Sequence, residues 1–225
     1  MEIIAKFKAL IVLLLIVVNV QTISAQTKAD IFDKKVPVTW LGVDYSQAKV
    51  ICSDSKEITT KSGFLSSTQF KLVYTPQWNN LFIYEKDKYD VAGAVHRDSV
   101  KYAIDVTAKA NLALGEKEFF STNPADFKTL NETKIADLVK NYDFGGNDGI
   151  GLIFFVEGMS KSKELMGVWA TFVDMKSKTV LLTKYGTGKP GGFGLRNYWA
   201  SPLYAVLGGI RANFKKWQKD QGLAN

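Results

Sequence analysis

The apolar run GIGLIFFVEG, residues 149–158, constrains the fold more than any other part of the chain. No charged residue occurs in it before Glu157, and a strand of this composition is typically buried on both faces of a sheet. Two further apolar segments flank a polar turn at residues 174–178, which predicts a β-hairpin. Because helical segments precede and follow these strands, we expect a two- or three-layer α/β sandwich with flanking helices and one mixed sheet of about five strands.

Other segments supply the remaining strands and helices. Residues 36–44 predict a first strand, and the alternation of apolar and polar residues over 100–107 predicts a half-buried strand. A hydroxyl cap residue followed by apolar residues at helical spacing predicts each of three helices, and the caps are Thr75 before Pro76, Thr133, and Ser201 before Pro202. The length is compatible with a single α/β domain over residues 26–225.

The amino terminus has the pattern of a secretory signal peptide. Lys6 and Lys8 precede the apolar run ALIVLLLIVV, and a short polar stretch then ends at the small residue Ala25. The apolar run is about half of the ~20 residues that span a bilayer. We therefore expect a signal peptide over residues 1–25 and export to the periplasm or exterior of a Gram-negative cell, with no transmembrane segment in the mature chain. An uncleaved membrane anchor is the alternative.

Charge is distributed unevenly along the chain. Residues 175–225 contain 9 Lys and Arg but a single acid, Asp220, whereas residues 26–174 contain 18 basic and 20 acidic residues. This asymmetry predicts an acidic envelope protein or an anionic envelope surface as the partner, and a solvated basic face is the structural alternative. Nucleic acid is disfavoured, because Phe214 and Trp217 fall on the apolar stripe of the last helix and not among exposed bases.

The chain contains one histidine, His96, and one cysteine, Cys52, which limits its chemistry. A zinc site normally needs several His or Cys ligands, and a Ser-His-Asp or Cys-His arrangement would have to use the single imidazole of His96. We therefore expect no metal site and no cofactor. Cys52 is expected to be a buried, small apolar residue, and residues 96–98 are expected to form a surface helix end.

The segment YGTGKPGGFGLRNYW, residues 185–199, contains a formal G-x-G-x-x-G pattern. A nucleotide site is disfavoured, because nine residues separate Gly191 from the predicted cap at Ser201 and because Pro190 follows Lys189. The segment from Gly186 to Trp199 is either a connection between strand and helix or a binding loop. Its candidate contact residues are basic and aromatic, as is usual at interfaces: Lys189, Phe193, Arg196, Tyr198 and Trp199.

Carboxylates provide the enzymatic alternative, a hydrolase of an envelope or extracellular polymer. It would use Asp44, at the end of the first strand, or the pair Asp143 and Asp148 together with Arg196. Asp148 and Glu157 lie at opposite ends of one predicted strand, roughly 30 Å apart at ~3.3 Å per residue, and are not expected to cooperate. We expect no catalytic residue.

The order of elements over residues 36–218, with Asp174 in the hairpin turn before a final helix, resembles a known family. It is similar to the compact α/β domain of periplasmic accessory proteins, which include the amino-terminal domain of TolB, the penicillin-binding-protein activator LpoB and the curli-secretion lipoprotein CsgG. The chain is also similar in general character to exported proteins of Bacteroidetes, and it lacks a lipid-anchor cysteine. The resemblance implies a non-enzymatic role in the envelope, through binding or assembly, and carries over no residue. An effector that acts on host cells or competitors is a third hypothesis.

Overall fold

The computed structural model describes residues 25–52, 59–60, 63–64, 66–113 and 119–223. The predicted signal peptide lies outside these ranges except for Ala25. Within them, no helix combines the length and the apolar character that a bilayer crossing requires.

Strand β7 (Ile150–Ser160) is the centre of a seven-stranded mixed sheet in the described part of the chain, and all of its residues are buried. Strands β8 (Leu165–Asp174) and β9 (Thr179–Gly188) form the predicted hairpin and pair with it antiparallel. On the other edge of β7, one strand pairs in parallel with its first half and another with its second half. A two-residue strand pairs in parallel with the outer edge of each. These are β1 (Val38–Asp44) with β5 (Lys101–Tyr102), and β2 (Lys49–Ile51) with β6 (Phe120–Ser121); β3 (Thr59–Thr60) and β4 (Gly63–Phe64) form a separate pair.

Helices cover both faces of the sheet, which confirms the predicted α/β sandwich. Their bounds are α1 (Ser67–Gln69), a π-helical segment (Phe70–Tyr74), α2 (Thr75–Tyr84), α3 (Val91–Ala94), α4 (Asp105–Leu112), a 3-10 turn (Pro124–Phe127), α5 (Glu132–Lys140) and α6 (Leu195–Asp220). One core joins α2, α3 and α6 to β7, through residues such as Trp78 and Phe154. A second core lies on the opposite face, where Val106 and Ile135 pack near Phe155. Cys52 is buried, as expected.

Helix α6 begins six residues before the predicted cap at Ser201, so Pro202 lies inside the helix. A proline lacks the N–H that would bond the carbonyl four residues earlier, which belongs to Tyr198. Gly191 supplies the missing donor, and its N–H lies 3.0 Å from the Tyr198 carbonyl oxygen. The loop before the helix therefore compensates for the proline within it.

Other predicted boundaries also differ. Thr75 is not a cap, because the helix already begins at the capping box of Ser66 and continues through the π segment. Residues 100–107 form only the short strand β5 before α4 begins. The cap of α5 is Asn131, whose side chain accepts from the Lys134 N–H, and not Thr133.

Side-chain amides complete the edge of β1 beyond the end of β5. Asn79 accepts from the Val43 N–H at 2.7 Å and donates to the Val43 carbonyl at 2.9 Å. Asn111 donates to the same carbonyl at 2.9 Å and accepts from the Tyr45 N–H at 2.8 Å. Thr107 donates to the Leu41 carbonyl at 2.8 Å. In the described part of the chain, these side chains make the hydrogen bonds to β1 that a neighbouring strand would otherwise make.

Arg97 belongs to residues 96–98, which were expected to form a surface helix end, but it is buried, with 8% of its surface exposed. Burial lowers the pKa of its guanidinium. The group donates to four backbone carbonyl oxygens, those of Asp30, Ile31, Val36 and Val95. Arg97 therefore ties the amino-terminal segment to the turn after α3.

Replacement of Arg97 by methionine is expected to lower the free energy of unfolding by about 2–4 kcal/mol, because buried carbonyl groups lose their donor. Urea denaturation followed by circular dichroism measures the effect. Arg211→Met is the control, since its ion pair with Asp90 is exposed and worth less than about 1 kcal/mol. Equal losses of unfolding free energy in the two variants would show that the buried hydrogen bonds of Arg97 stabilise the fold no more than an exposed ion pair does.

Candidate functional site

The glycine-rich segment is divided between a strand and a helix. Gly186 and Gly188 belong to β9, which ends there, and α6 begins at Leu195, so the connecting loop spans only residues 189–194. The helix starts closer to Gly191 than predicted. A phosphate cradle is nevertheless absent at Gly188, because a Cβ there would lie 2.5 Å from the Pro202 Cα, and helix backbone fills the space. Gly188 serves the packing of α6 against β9.

Hydrogen bonds hold the loop against the first turns of α6. Besides the contact of Gly191 with Tyr198, the Ser201 hydroxyl donates to the Lys189 carbonyl at 3.0 Å. The Asn197 amide donates to the Phe193 carbonyl at 3.2 Å. The segment therefore has a defined conformation that fixes where Phe193 lies.

The five predicted contact residues have different environments. Phe193 is 83% exposed, and Lys189 is exposed beside Glu164. Tyr198 is half-buried and packs edge-on against Trp199, with ring centroids 5.2 Å apart. Trp199 is only 4% exposed and belongs to the core, so we reassign it from a contact residue to a support for the loop.

Arg196 connects the loop to α2. Its guanidinium lies 2.6 Å from the Glu85 carboxylate, and its carbonyl accepts from the Trp78 indole N–H at 2.9 Å. Both ion-pair side chains are about two-fifths exposed, at 40% and 38%. Arg196 therefore fixes the start of α6 against the end of α2 while part of its surface stays accessible.

Two further exposed tyrosines, which the sequence did not indicate, lie on the two helices that the Arg196–Glu85 pair joins. Tyr84, next to Glu85, is 80% exposed. Tyr204 is 52% exposed and meets the buried Tyr89 edge-on at 6.2 Å. We call Tyr84, Phe193 and Tyr204, with the Glu85–Arg196 pair, the aromatic corner. Both tyrosines lie outside the apolar stripes of their helices, and an aromatic residue at such a position is the sequence signal that could have identified them.

The basic carboxyl-terminal segment is partly neutralised by acids from earlier in the chain. Three of its nine basic side chains form ion pairs with such acids, namely Lys189 with Glu164 at 2.9 Å, Arg196 with Glu85 at 2.6 Å and Arg211 with Asp90 at 2.8 Å. The charge asymmetry of the sequence is therefore smaller on the folded surface near the loop.

The candidate carboxylates have different environments. Asp44 is 1% exposed and accepts a hydrogen bond from the Tyr142 hydroxyl at 2.6 Å, so a polymer does not reach it. Asp143 and Asp148 line one shallow surface depression. A hydrogen bond from Lys109 lowers the pKa of Asp143, whereas a general acid needs a raised one. Arg196 contacts Glu85 and neither of these aspartates.

Glu157 is a fully buried carboxylate that the sequence analysis placed at a strand end. Its two oxygens accept from the Leu130 N–H and, at 3.0 Å, from the Trp169 indole N–H. These contacts give it a structural role, which is to hold the loop before α5 against the sheet. Among the described residues, no group of three or more His, Cys, Asp or Glu side chains is placed to hold a metal ion.

Comparison with known proteins found no matching family model and no significantly similar curated protein.

Proposed function

We propose that the chain is an exported, non-enzymatic binding protein of the cell envelope and that it contacts a partner protein through the aromatic corner. The observation that carries this proposal is Phe193, an aromatic side chain 83% exposed on a loop held by hydrogen bonds. Aromatic and arginine side chains on rigid supports dominate binding energies, because ordering them on association costs little entropy.

The composition of the corner favours a protein over an anionic surface. Its exposed members are aromatic, and its arginine is already paired with Glu85. The same pairing offers a partner both a cation and an anion for hydrogen bonds at the rim of an apolar contact. An anionic envelope surface would bind instead through unpaired basic side chains, and its affinity would fall steeply with salt.

Replacement of Phe193 by alanine is expected to weaken partner binding by about 2 kcal/mol or more, a factor of roughly 30, because it removes the most exposed anchor. Cross-linking in living cells, followed by affinity capture and measurement of the dissociation constant of the captured protein, tests this. The fold should be unaffected, since Phe193 is not part of either core.

Leu112→Ala is the matched control, because Leu112 is a large apolar side chain, 50% exposed, on α4 and outside the corner. Wild type and this control should capture the same partner with equal affinity. Equal capture by Phe193→Ala would remove the corner as the contact surface. Binding to anionic vesicles that is lost in high salt and unaffected by Phe193→Ala would instead favour an anionic surface.

A further inference from the structure

The backbone nitrogen of Gln26 lies 3.0 Å from the Asp174 carboxylate, although 148 positions separate the two residues. Asp174 is the last residue of β8, in the hairpin turn, and is 2% exposed. The contact therefore fixes the amino-terminal segment at one particular point of the sheet.

The two carboxylate oxygens of Asp174 accept hydrogen bonds from two different segments, the hairpin turn and the amino-terminal segment. Oδ1 accepts from the Lys176 and Ser177 N–H groups at 3.0 and 3.3 Å, and Oδ2 accepts from Gln26. Burial opposes ionisation, but hydrogen bonds from Ser177, Gln26 and Lys176 outweigh it and lower the pKa of Asp174. Asp174 is therefore an anion at neutral pH.

Gln26 is also the residue that follows the predicted cleavage site at Ala25. Cleavage there would convert the Gln26 backbone amide into a terminal ammonium group at the same position. An ammonium carries a full charge and three donors, whereas the amide carries one donor and no charge. A buried carboxylate binds the ammonium more strongly than the amide, because hydrogen bonds between charged groups are about twice as strong as neutral ones.

We propose that Asp174 is the receptor for the mature amino terminus, so that processing after Ala25 creates an ion pair between the Gln26 ammonium and the Asp174 carboxylate. This inference rests on the export included in the proposed function and on the predicted cleavage after Ala25. The depression around the contact is lined by Ala25, Gln26, Asp148, Gly149, Asp174, Lys176 and Ser177. Asp148 adds a second negative charge there, and Lys176 is the one cation of this lining.

The ion pair also determines the chemistry of Gln26. An amino-terminal glutamine cyclises when its free amine attacks its own side-chain carbonyl carbon, forming a C–N bond and releasing ammonia. The attacking nitrogen must be unprotonated, and an ammonium held by Asp174 has no lone pair for this step. The mature chain is therefore expected to retain an open Gln26.

A thermodynamic cycle tests the ion pair. Two chains, one beginning at Gln26 and one at Ala25, are released from a removable fusion partner, and each is made with and without Asp174→Asn. The chain that begins at Gln26 is expected to have a Tm about 2–4 °C above that of the Ala25 chain, and Asp174→Asn should abolish this difference. Asp148→Asn is the control and should preserve most of it.

The comparison between the two wild-type chains remains decisive if Asp174→Asn does not fold. Equal Tm values at neutral pH would overturn the ion pair, and so would an intact mass that shows loss of ammonia from Gln26. Mass measurement of the exported protein separates the two proposals. Cleavage at another residue would overturn the role of Gln26. It would not affect the proposed binding through the aromatic corner, which the Phe193→Ala experiment tests separately.

Discussion

Replacement of Gly42 by alanine is expected to lower the free energy of unfolding by about 3–5 kcal/mol. Gly42 lies at the irregularity in β1 and has a φ of 101°, a conformation that side chains rarely adopt. An added Cβ would collide with the Thr107 hydroxyl and the Asn79 carboxamide oxygen. Those two groups satisfy the backbone of β1, so their displacement leaves buried polar atoms without partners.

Urea denaturation of Gly42→Ala measures this loss, and Gly208→Ala is its matched control. Gly208 lies in α6, where an added Cβ meets nothing within 4 Å. Alanine is the better helix former, so the control should be more stable by about 0.5–1 kcal/mol. A Gly42→Ala chain as stable as wild type would show that the side chains at the β1 edge are not closely packed.

The parts of the fold that the sequence predicts are those with local causes. Strands β7, β8 and β9 are consecutive, strongly apolar and joined by a short turn, so their pairing follows from pattern alone. The predicted start of α6 was wrong, because the true start depends on a contact with a residue outside the local pattern. Ser201 before Pro202 has the local signature of a cap. The Gly191 N–H nevertheless bonds the Tyr198 carbonyl, which Pro202 leaves without a donor, and the helix therefore begins before Ser201.

The candidate site shows the same division. The sequence identifies a loop rich in aromatic and basic residues, and Phe193 lies exposed in it. It does not reveal the burial of Trp199, which depends on the packing of α6 against β9, nor the pairing of Arg196 with Glu85 across 111 positions. Tyr84 joins the corner only because α2 and α6 are adjacent in space.

Alkaline pH is expected to unfold the protein through four tyrosines that resist ionisation. Burial is the largest cause at each, and it raises the pKa of Tyr89 and Tyr185 to about 12. It also raises the pKa values of Tyr45 and Tyr142, and the Asp44 carboxylate adds to the effect at Tyr142. In each case the folded protein holds a proton that the unfolded chain releases near pH 10.

The direction of the effect follows from the raised values. A group whose pKa is higher in the folded state contributes fully to stability below its unfolded pKa, and this contribution is lost as pH rises toward the folded value. The two fully buried tyrosines, Tyr45 and Tyr89, each cost about 1.4 kcal/mol per pH unit above about pH 10. The partly buried Tyr142 and Tyr185 cost less because solvent screens them. The loss reaches about 5 kcal/mol by about pH 12, which is comparable to the whole stability of a small domain.

Circular dichroism and the absorbance of the phenolate, recorded together against pH, test this expectation. Loss of structure and ionisation of the buried tyrosines should coincide between about pH 10 and 12, because the phenolates form only after unfolding. Tyr45→Phe is the informative variant, since the Tyr45 hydroxyl is buried with no hydrogen-bond partner in the described part of the chain. Its removal should leave stability at neutral pH nearly unchanged and lessen the alkaline loss by about 1.4 kcal/mol per pH unit. Ionisation of Tyr45, Tyr89, Tyr142 and Tyr185 near pH 10 with the fold intact would contradict their burial and the packing of the cores that contain them.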